Sequence, residues 1–373
     1  MKKLIKFLRS KKKFLPPKNK RYLILDSSQS FIFKNYFDEN EIDILHTRYQ
    51  EFNLYVLIRM LLKLKFSYRE YVIEYIKVTN CKYIISIIEN NLFYYSLKKS
   101  FPDKKIILIQ SGMRTEFFFE QMSKLKHLEV DYMFTFGKFY EKKFNQFVKA
   151  KFITLGSFKN NLILNDRKKK NRSILFISSG PLFVDDMGVF GKLRIESEIY
   201  FNSEKILLPM ILKFCQKNEY ELKVLARSKK SRHFSYEKNF YEKILNSSQF
   251  EFLENNHWDQ SYKFTDNSKL IISIYSALGL ESLARGNRTI FFNVRNRIKV
   301  SESLSLFWSD KKISSKGAFW TDLLNEEELN RIASYGIFST DQEWKKSLEL
   351  ILPDLMDYNK GNKRFLEVIR NEK

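Results

Sequence analysis

Small polar residues, an arginine and several carboxylates fall just where apolar runs of this chain stop. Ser178, Ser179 and Gly180 follow one such run, and their N–H and hydroxyl groups could cradle an anion. Arg227 follows another, and a guanidinium there can grip phosphate through paired hydrogen bonds. Lys229 and Lys230 beside it read equally as a solvated basic loop. The richest stretch is 273–293, SIYSALGLESLARGNRTIFFN, in which an apolar run stops at Tyr275. Ser276 can cap the helix that follows, and Gly279, lacking a side chain, lets a ligand or another backbone approach closely. Glu281 offers a carboxylate to ribose hydroxyls near a helix N-terminus that favours phosphate. Read plainly, the same residues are a capped turn and a helix stopped by Gly286. In the N-terminal half, Asp26, Glu89 and Glu116 are carboxylates near the ends of apolar runs, and each can equally cap a turn.

The elements that would position these groups alternate along the chain. Strands are predicted at 22–25, 42–45, 83–88, 105–109, 132–136 and 152–155, with helices at 54–65, 68–78 and 92–99 between them. After the basic stretch 165–172 (NDRKKKNR) the pattern restarts, with strands at 173–177, 221–225, 250–253, 269–274 and 289–292 and helices at 206–217 and 276–285. Two further helices are expected, at 326–334 and at 341–370, the latter broken near Pro353. Continuous apolar strands separated by helices predict parallel sheets covered on both faces. That is the doubly wound pattern, in which ligands bind beyond the carboxyl ends of the strands.

Composition sets the limits. The 373 residues carry a net charge of +23, which would draw the chain toward anionic lipid or phosphate. The basic residues are dispersed and form no recognised nucleic-acid motif, so no nucleic-acid partner is expected. Two cysteines, Cys81 and Cys215, and four histidines allow neither a disulfide framework nor a zinc pattern. No metal and no cofactor is expected. No apolar run reaches membrane-spanning length. The opening MKKLIKFLRSKKKF lacks the apolar core of a signal peptide. It reads either as a solvated tail or as a short amphipathic contact with an anionic membrane surface, and the reducing cytoplasm fits the cysteine usage.

The run Ser276-Ala277-Leu278-Gly279-Leu280-Glu281-Ser282-Leu283-Ala284-Arg285-Gly286 resembles the S-T-L-G-Y-E-A-L-A-R-G segment of a bacterial family of O-antigen or surface-carbohydrate biosynthesis proteins. Ile88-Glu89-Asn90 resembles that family's acidic-Asn pair after a strand. Gln110-Ser111-Gly112-Met113-Arg114 resembles its Q-N-G-x-R turn. Ser111, Ala277 and Glu89 depart from the family's usual Asn, Thr and Asp. The resemblance implies a GT-B-like α/β fold: two Rossmann-like, doubly wound parallel-sheet domains facing across a cleft, acceptor on the first and nucleotide-sugar donor on the second. With the basic tail (1–19) and the break at 165–172 read from the residues, it implies an acceptor domain (20–165), a donor domain (172–345) and a C-terminal helical segment (346–373) that crosses back to the first domain.

On that reading the activity is transfer of a sugar from a nucleotide-sugar to a lipid-linked or growing surface-polysaccharide acceptor, by a cytoplasmic enzyme peripheral to the membrane. An inverting transfer needs a general base on the acceptor hydroxyl, for which Glu89 is the first candidate and Asp26 the second. Ser178, Ser179, Gly180, Arg227, Ser276, Gly279 and Glu281 would hold the donor, and Gln110, Ser111, Gly112 and Arg114 would face the acceptor. Two alternatives stay open: a phosphotransferase using a CDP-polyol, and a non-catalytic scaffold of polysaccharide assembly.

Overall fold

The computed structural model describes residues 8–164, 170–180, 189–190, 193–194, 201–227, 232–245, 249–274, 276–294 and 314–371. Residues 165–169 of the basic stretch, Tyr275, and Lys229 and Lys230 lie outside these. The chain divides into two compact units. The first holds Met1–Ser111, Gln121–Lys159 and Asn362–Lys373, and the second Gly112–Glu120 and Asn160–Gly361.

The first unit is built on a six-stranded parallel sheet. Its strands are β2 (Tyr22–Leu25), β3 (Ile42–Leu45), β5 (Tyr83–Ser86), β6 (Lys105–Ile109), β7 (Leu128–Thr135) and β8 (Val148–Thr154), in the spatial order β3-β2-β5-β6-β7-β8. A small parallel pair, β1 (Lys11–Lys13) with β4 (Glu51–Asn53), stands apart from it. β2 and β5 are buried at every position, as runs without alternation require when both faces are covered. Helices α1 (Leu54–Leu62) and α2 (Tyr68–Thr79) begin on Asn53 and Ser67, whose side chains accept from Val56 and Glu70 N–H. The C-terminal helix Lys363–Asn371 belongs to this unit. Its Phe365 is fully buried, with ring centroids 5.0 Å from Phe158 and 5.6 Å from Phe134. The helical segment expected to run on from 346 is thus divided at Gly361, the residues before it packing with the second unit.

The second unit repeats the architecture. Strands β9 (Asn171–Ile177), β12 (Glu221–Leu225), β13 (Glu251–Leu253), β14 (Ser268–Ser273), β15 (Thr289–Phe292) and β16 (Trp320–Thr321) lie in the order β13-β12-β9-β14-β15-β16, all parallel. The short segments β10 (Val189–Phe190) and β11 (Leu193–Arg194) pair antiparallel outside this sheet. Around it lie α3 (Asn202–Lys217), α4 (Arg232–Leu245), α5 (Gln260–Asn267), α6 (Ala277–Ala284) and α7 (Glu326–Phe338). A cluster of Leu175, Ile177, Leu225, Leu253 and Ile271 forms part of the core.

The two orders matter for function. Counted within each unit, the second sheet runs 3-2-1-4-5-6 and the first 2-1-3-4-5-6. Each therefore reverses direction beside its own first strand, where loops leave a crevice at the carboxyl edge. In the first unit the reversal lies between β2 and β5, and in the second between β9 and β14.

Candidate functional site

In the second unit the turn after β9 and the turn after β14 flank the point of reversal. Ser178 lies beside β12, donating its N–H to Leu225 O at 3.1 Å. Its hydroxyl is at the centre of a buried network. It donates to the Glu237 carboxylate of α4, and it accepts from Tyr241 Oη at 2.7 Å and Gly180 N–H at 2.9 Å. Glu237 also accepts Arg227 N–H at 2.9 Å. The Ser178 hydroxyl and the Gly180 N–H are therefore committed to internal bonds, which differs from the open anion cradle expected of them. Glu237 and Tyr241 carried no sequence signal, because they sit 59 and 63 residues from the serine they hold.

Arg227 is exposed at the end of β12, and its Nη1 donates to Ser179 O at 2.7 Å. Gly180 makes this possible. Its φ is +74°, and a Cβ there would stand 2.6 Å from Arg227 Cδ. The glycine thus lets the arginine stem lie flat across the turn. The Ser179 hydroxyl is buried and has no partner among the described residues. Nη1 is held by a backbone carbonyl, which carries no negative charge to offset that of the guanidinium.

In 276–286 four of the residues that carry the resemblance have a visible structural role. Ser276 Oγ caps α6 by accepting Leu278 N–H at 3.2 Å. The close approach that Gly279 permits is to the sheet: a Cβ would lie 2.7 Å from Ser273 Oγ and 3.1 Å from Phe291. That corrects the expectation of a ligand against this glycine, since its bare face is filled by β14 and β15. Glu281 is buried and accepts from Tyr262 Oη at 3.0 Å, and its carbonyl accepts from Asn160 Nδ2 at 3.2 Å. Gly286, at φ +90°, ends the helix in a conformation glycine adopts without strain.

Sequence reasoning missed Arg285, the anchor of this segment. Its side chain is fully buried, with the guanidinium carbon 4.8 Å from the Tyr262 ring centre. It donates to Asn160 Oδ1 at 2.5 Å, Thr265 Oγ1 at 2.9 Å and the Asp266 carboxylate. Lys170 donates to Asn287 Oδ1 nearby at 2.7 Å, and burial pushes its ammonium down to about 8.

In the first unit both candidate carboxylates sit at the sheet's own reversal. Asp26 follows β2 with φ +80°, tolerable because its Oδ1 accepts Ser28 N–H at 2.7 Å and closes an Asx turn. Its Oδ2 accepts from Thr47 Oγ1 at 2.6 Å and Arg48 Nε at 2.8 Å. Glu89 follows β5, is fully buried, and accepts both the N–H and the Oγ of Ser111 at 3.0 Å. Gln110 turns inward, its Oε1 accepting Phe136 N–H at 2.8 Å. Gly112 and Arg114 belong to the second unit. There Arg114 Nη1 folds onto Met113 O at 3.1 Å and the guanidinium lies 5.5 Å from the Phe118 ring centre.

Cys81 and Cys215 are buried, and burial pushes both up to about 12. Among the described residues no helix is long and apolar enough to cross a membrane.

Residues 107–373 match the family described as "putative O-antigen biosynthesis protein". The chain belongs to that family. The matched part takes in Gln110–Arg114 and 276–286, while Asp26 and Glu89 precede it. No curated protein matches the sequence. Among solved structures, the chain is similar to UDP-GlcNAc 2-epimerase from Neisseria meningitidis bound to UDP-GlcNAc, with 10% identity and a TM-score of 0.51 over 94% of this chain and 99% of that one. It is also similar to sucrose-phosphate synthase from Thermosynechococcus elongatus, with 8% identity and a TM-score of 0.52 over 95% and 99%. A third is the wall teichoic acid polymerase TagF soaked with CDPG, with 10% identity and a TM-score of 0.50 over 95% and 90%. These likenesses give the family member a GT-B-like fold of two Rossmann-like parallel-sheet domains.

Proposed function

We propose that this protein is a glycosyltransferase that moves a sugar from a nucleotide-sugar donor to a lipid-linked or growing surface-polysaccharide acceptor, in the cytoplasm and peripheral to the membrane. One observation carries the reading: the second sheet reverses between β9 and β14, with Ser178–Ser179–Gly180 and Arg227 on one side and the capped N-terminus of α6 on the other. A nucleotide diphosphate needs N–H donors, a cation and a helix start at such an edge. Arg227 takes the phosphates beside the Ser178–Ser179–Gly180 turn, Ser276 and the first turn of α6 lie toward them, and Glu281 serves the ribose.

On the acceptor side Glu89 is the proposed general base. Ser111 Oγ donates to it, so a proton taken from an acceptor hydroxyl passes through Ser111 to the carboxylate. Asp26 is the second candidate, and its pairing with Arg48 favours an anchoring role.

Calorimetric titration with CMP, UDP and GDP tests the donor site. One of the three binds, and Arg227→Ala weakens it; binding of none, sugar-linked forms included, overturns the proposal. A CDP-polyol phosphotransferase is the second reading, supported by the fold likeness to TagF with CDPG. Product analysis separates the two, because only the second adds phosphorus to the acceptor. Conversion of a nucleotide-sugar with no acceptor present replaces transfer by epimerisation. Polysaccharide production unchanged in Glu281→Ala and Arg227→Ala, yet lost on deletion, makes the protein a scaffold.

A further inference from the structure

The stretch 54–65 is apolar at helical spacing. The structure buries only part of it. Val56 and Met60 face inward, while Ile58, Leu61 and Leu62 face solvent on the opposite side of α1. The chain then leaves the helix through Leu64 and Phe66, so that Leu62 and Leu64 are each 79% exposed and Phe66 is 74% exposed. Isolated exposed leucines are ordinary, but a contiguous apolar ridge on a folded unit marks a contact surface.

Leu64 sharpens the point. It occupies the left-handed position that closes α1, with φ +54° and its N–H donating to Leu61 O at 2.9 Å. Glycine or asparagine is the usual occupant there, and a branched side chain adds steric strain. A leucine in that position costs conformational energy and exposes apolar surface to water as well, which neither helix closure nor the core explains.

The charge around the ridge identifies what covers it. Residues 54–66 hold three basic and no acidic residues, and residues 8–20 hold six basic and none acidic. The two stretches are neighbours: β1 pairs with β4 just ahead of α1, and Asn53, the cap of α1, donates through Nδ2 to Leu15 O at 2.8 Å. Phe14 and Leu15 are exposed there as well. The acids Glu51, Glu74 and Glu70 pair with Lys13, with Arg59 and Lys63, and with Lys65, so the surplus of positive charge beside the ridge lies in the 8–20 stretch. Lys11 stands opposite Glu51 in the β1–β4 pair, and Lys12 Nζ donates to Leu8 O at 2.8 Å and Ser10 O at 2.6 Å. Leucines and phenylalanine rimmed by lysines match the acyl–headgroup boundary of an anionic bilayer, where apolar side chains insert and cations meet lipid phosphates.

We propose that this face of the first unit, α1 with 62–66 and the basic 11–15 segment, is a membrane-docking surface for anionic lipid. It rests on the membrane-peripheral part of the proposed function and uses none of the donor or acceptor residues, so either can fail without the other. The test is co-flotation of the full chain with phosphatidylcholine vesicles, with and without phosphatidylglycerol. The expected result is binding that needs phosphatidylglycerol and falls as salt rises. Leu62→Asp lowers the partition on the order of tenfold, and Lys11→Gln with Lys12→Gln lowers it roughly fivefold per charge. Leu64→Gly is the control for folding. Glycine suits its backbone, so this variant melts no lower than the parent and still binds vesicles more weakly. Equal binding to both vesicle types, or no loss in Leu64→Gly, overturns the proposal. So does a concentration-dependent dimer that Leu62→Asp abolishes in a chain that floats with neither vesicle, since the ridge then faces a second copy.

Discussion

Arg285→Ala separates architecture from ligand binding in the family segment. The wild-type guanidinium is fully buried and makes three good hydrogen bonds, to Asn160, Thr265 and Asp266. Removing it leaves the Asp266 carboxylate, itself nearly buried, with Asn287 Nδ2 at 2.7 Å as its remaining near donor among those bonds. Deleting one partner of a buried ion pair costs ~3–5 kcal/mol, because the other charge is left poorly compensated. The lost stacking on Tyr262 belongs to the same contact and is not added again. For a unit of this size, ~4 kcal/mol lowers the melting temperature by about 10 °C. Arg285→Lys keeps the charge but loses the planar fork, and roughly half of that loss is expected. Differential scanning calorimetry reads both, with Asp266→Asn completing a double-mutant cycle. At a temperature where Arg285→Ala stays folded, nucleotide binding should survive, since the Arg285 side chain is fully buried and has no exposed atom to offer a ligand. Melting within ~1 kcal/mol of wild type, or loss of nucleotide binding with stability intact, refutes this account.

Gly279→Ala places a Cβ against Ser273 and Phe291, so urea denaturation should show a loss of ~1–3 kcal/mol from overpacking. Gly180→Ala pushes the Arg227 stem off the turn, and nucleotide titration should show weaker binding with the base preference unchanged. Glu328 is held down to about 2, chiefly by Arg331 with help from Thr321 and Lys316. A carboxyl lowered on folding stabilises above its unfolded value near 4.5 and loses that contribution as pH falls toward 2. Because Arg331 and Lys316 are partly exposed, the contribution is discounted to ~1–2 kcal/mol. Glu328→Gln should therefore flatten the acid limb of the stability curve between those pH values, as followed by circular dichroism.

Periodicity in the sequence determines the strands and their parallel character. Runs such as YLIL and YIIS can satisfy their backbone and bury every side chain only inside a sheet covered twice. The same local chemistry determines the cap at Ser276 and the stop at Gly286, because both depend on atoms within a few residues. Helices lacking that clarity, such as α4 and α5, were not legible. Their polar-rich spans, of 14 and 8 residues, become helical by packing rather than by pattern.

The tertiary structure decided what the candidate residues do. Ser178 is committed to Glu237 and Tyr241, Gly279 to the sheet, and Arg285 to Asn160 across 125 residues of chain. No local spacing encodes such partners, since they meet only when strands order themselves. Packing also chose which side of α1 faces water. An apolar stripe in the sequence says that a face wants cover, but only the fold shows whether the protein's own core supplies it.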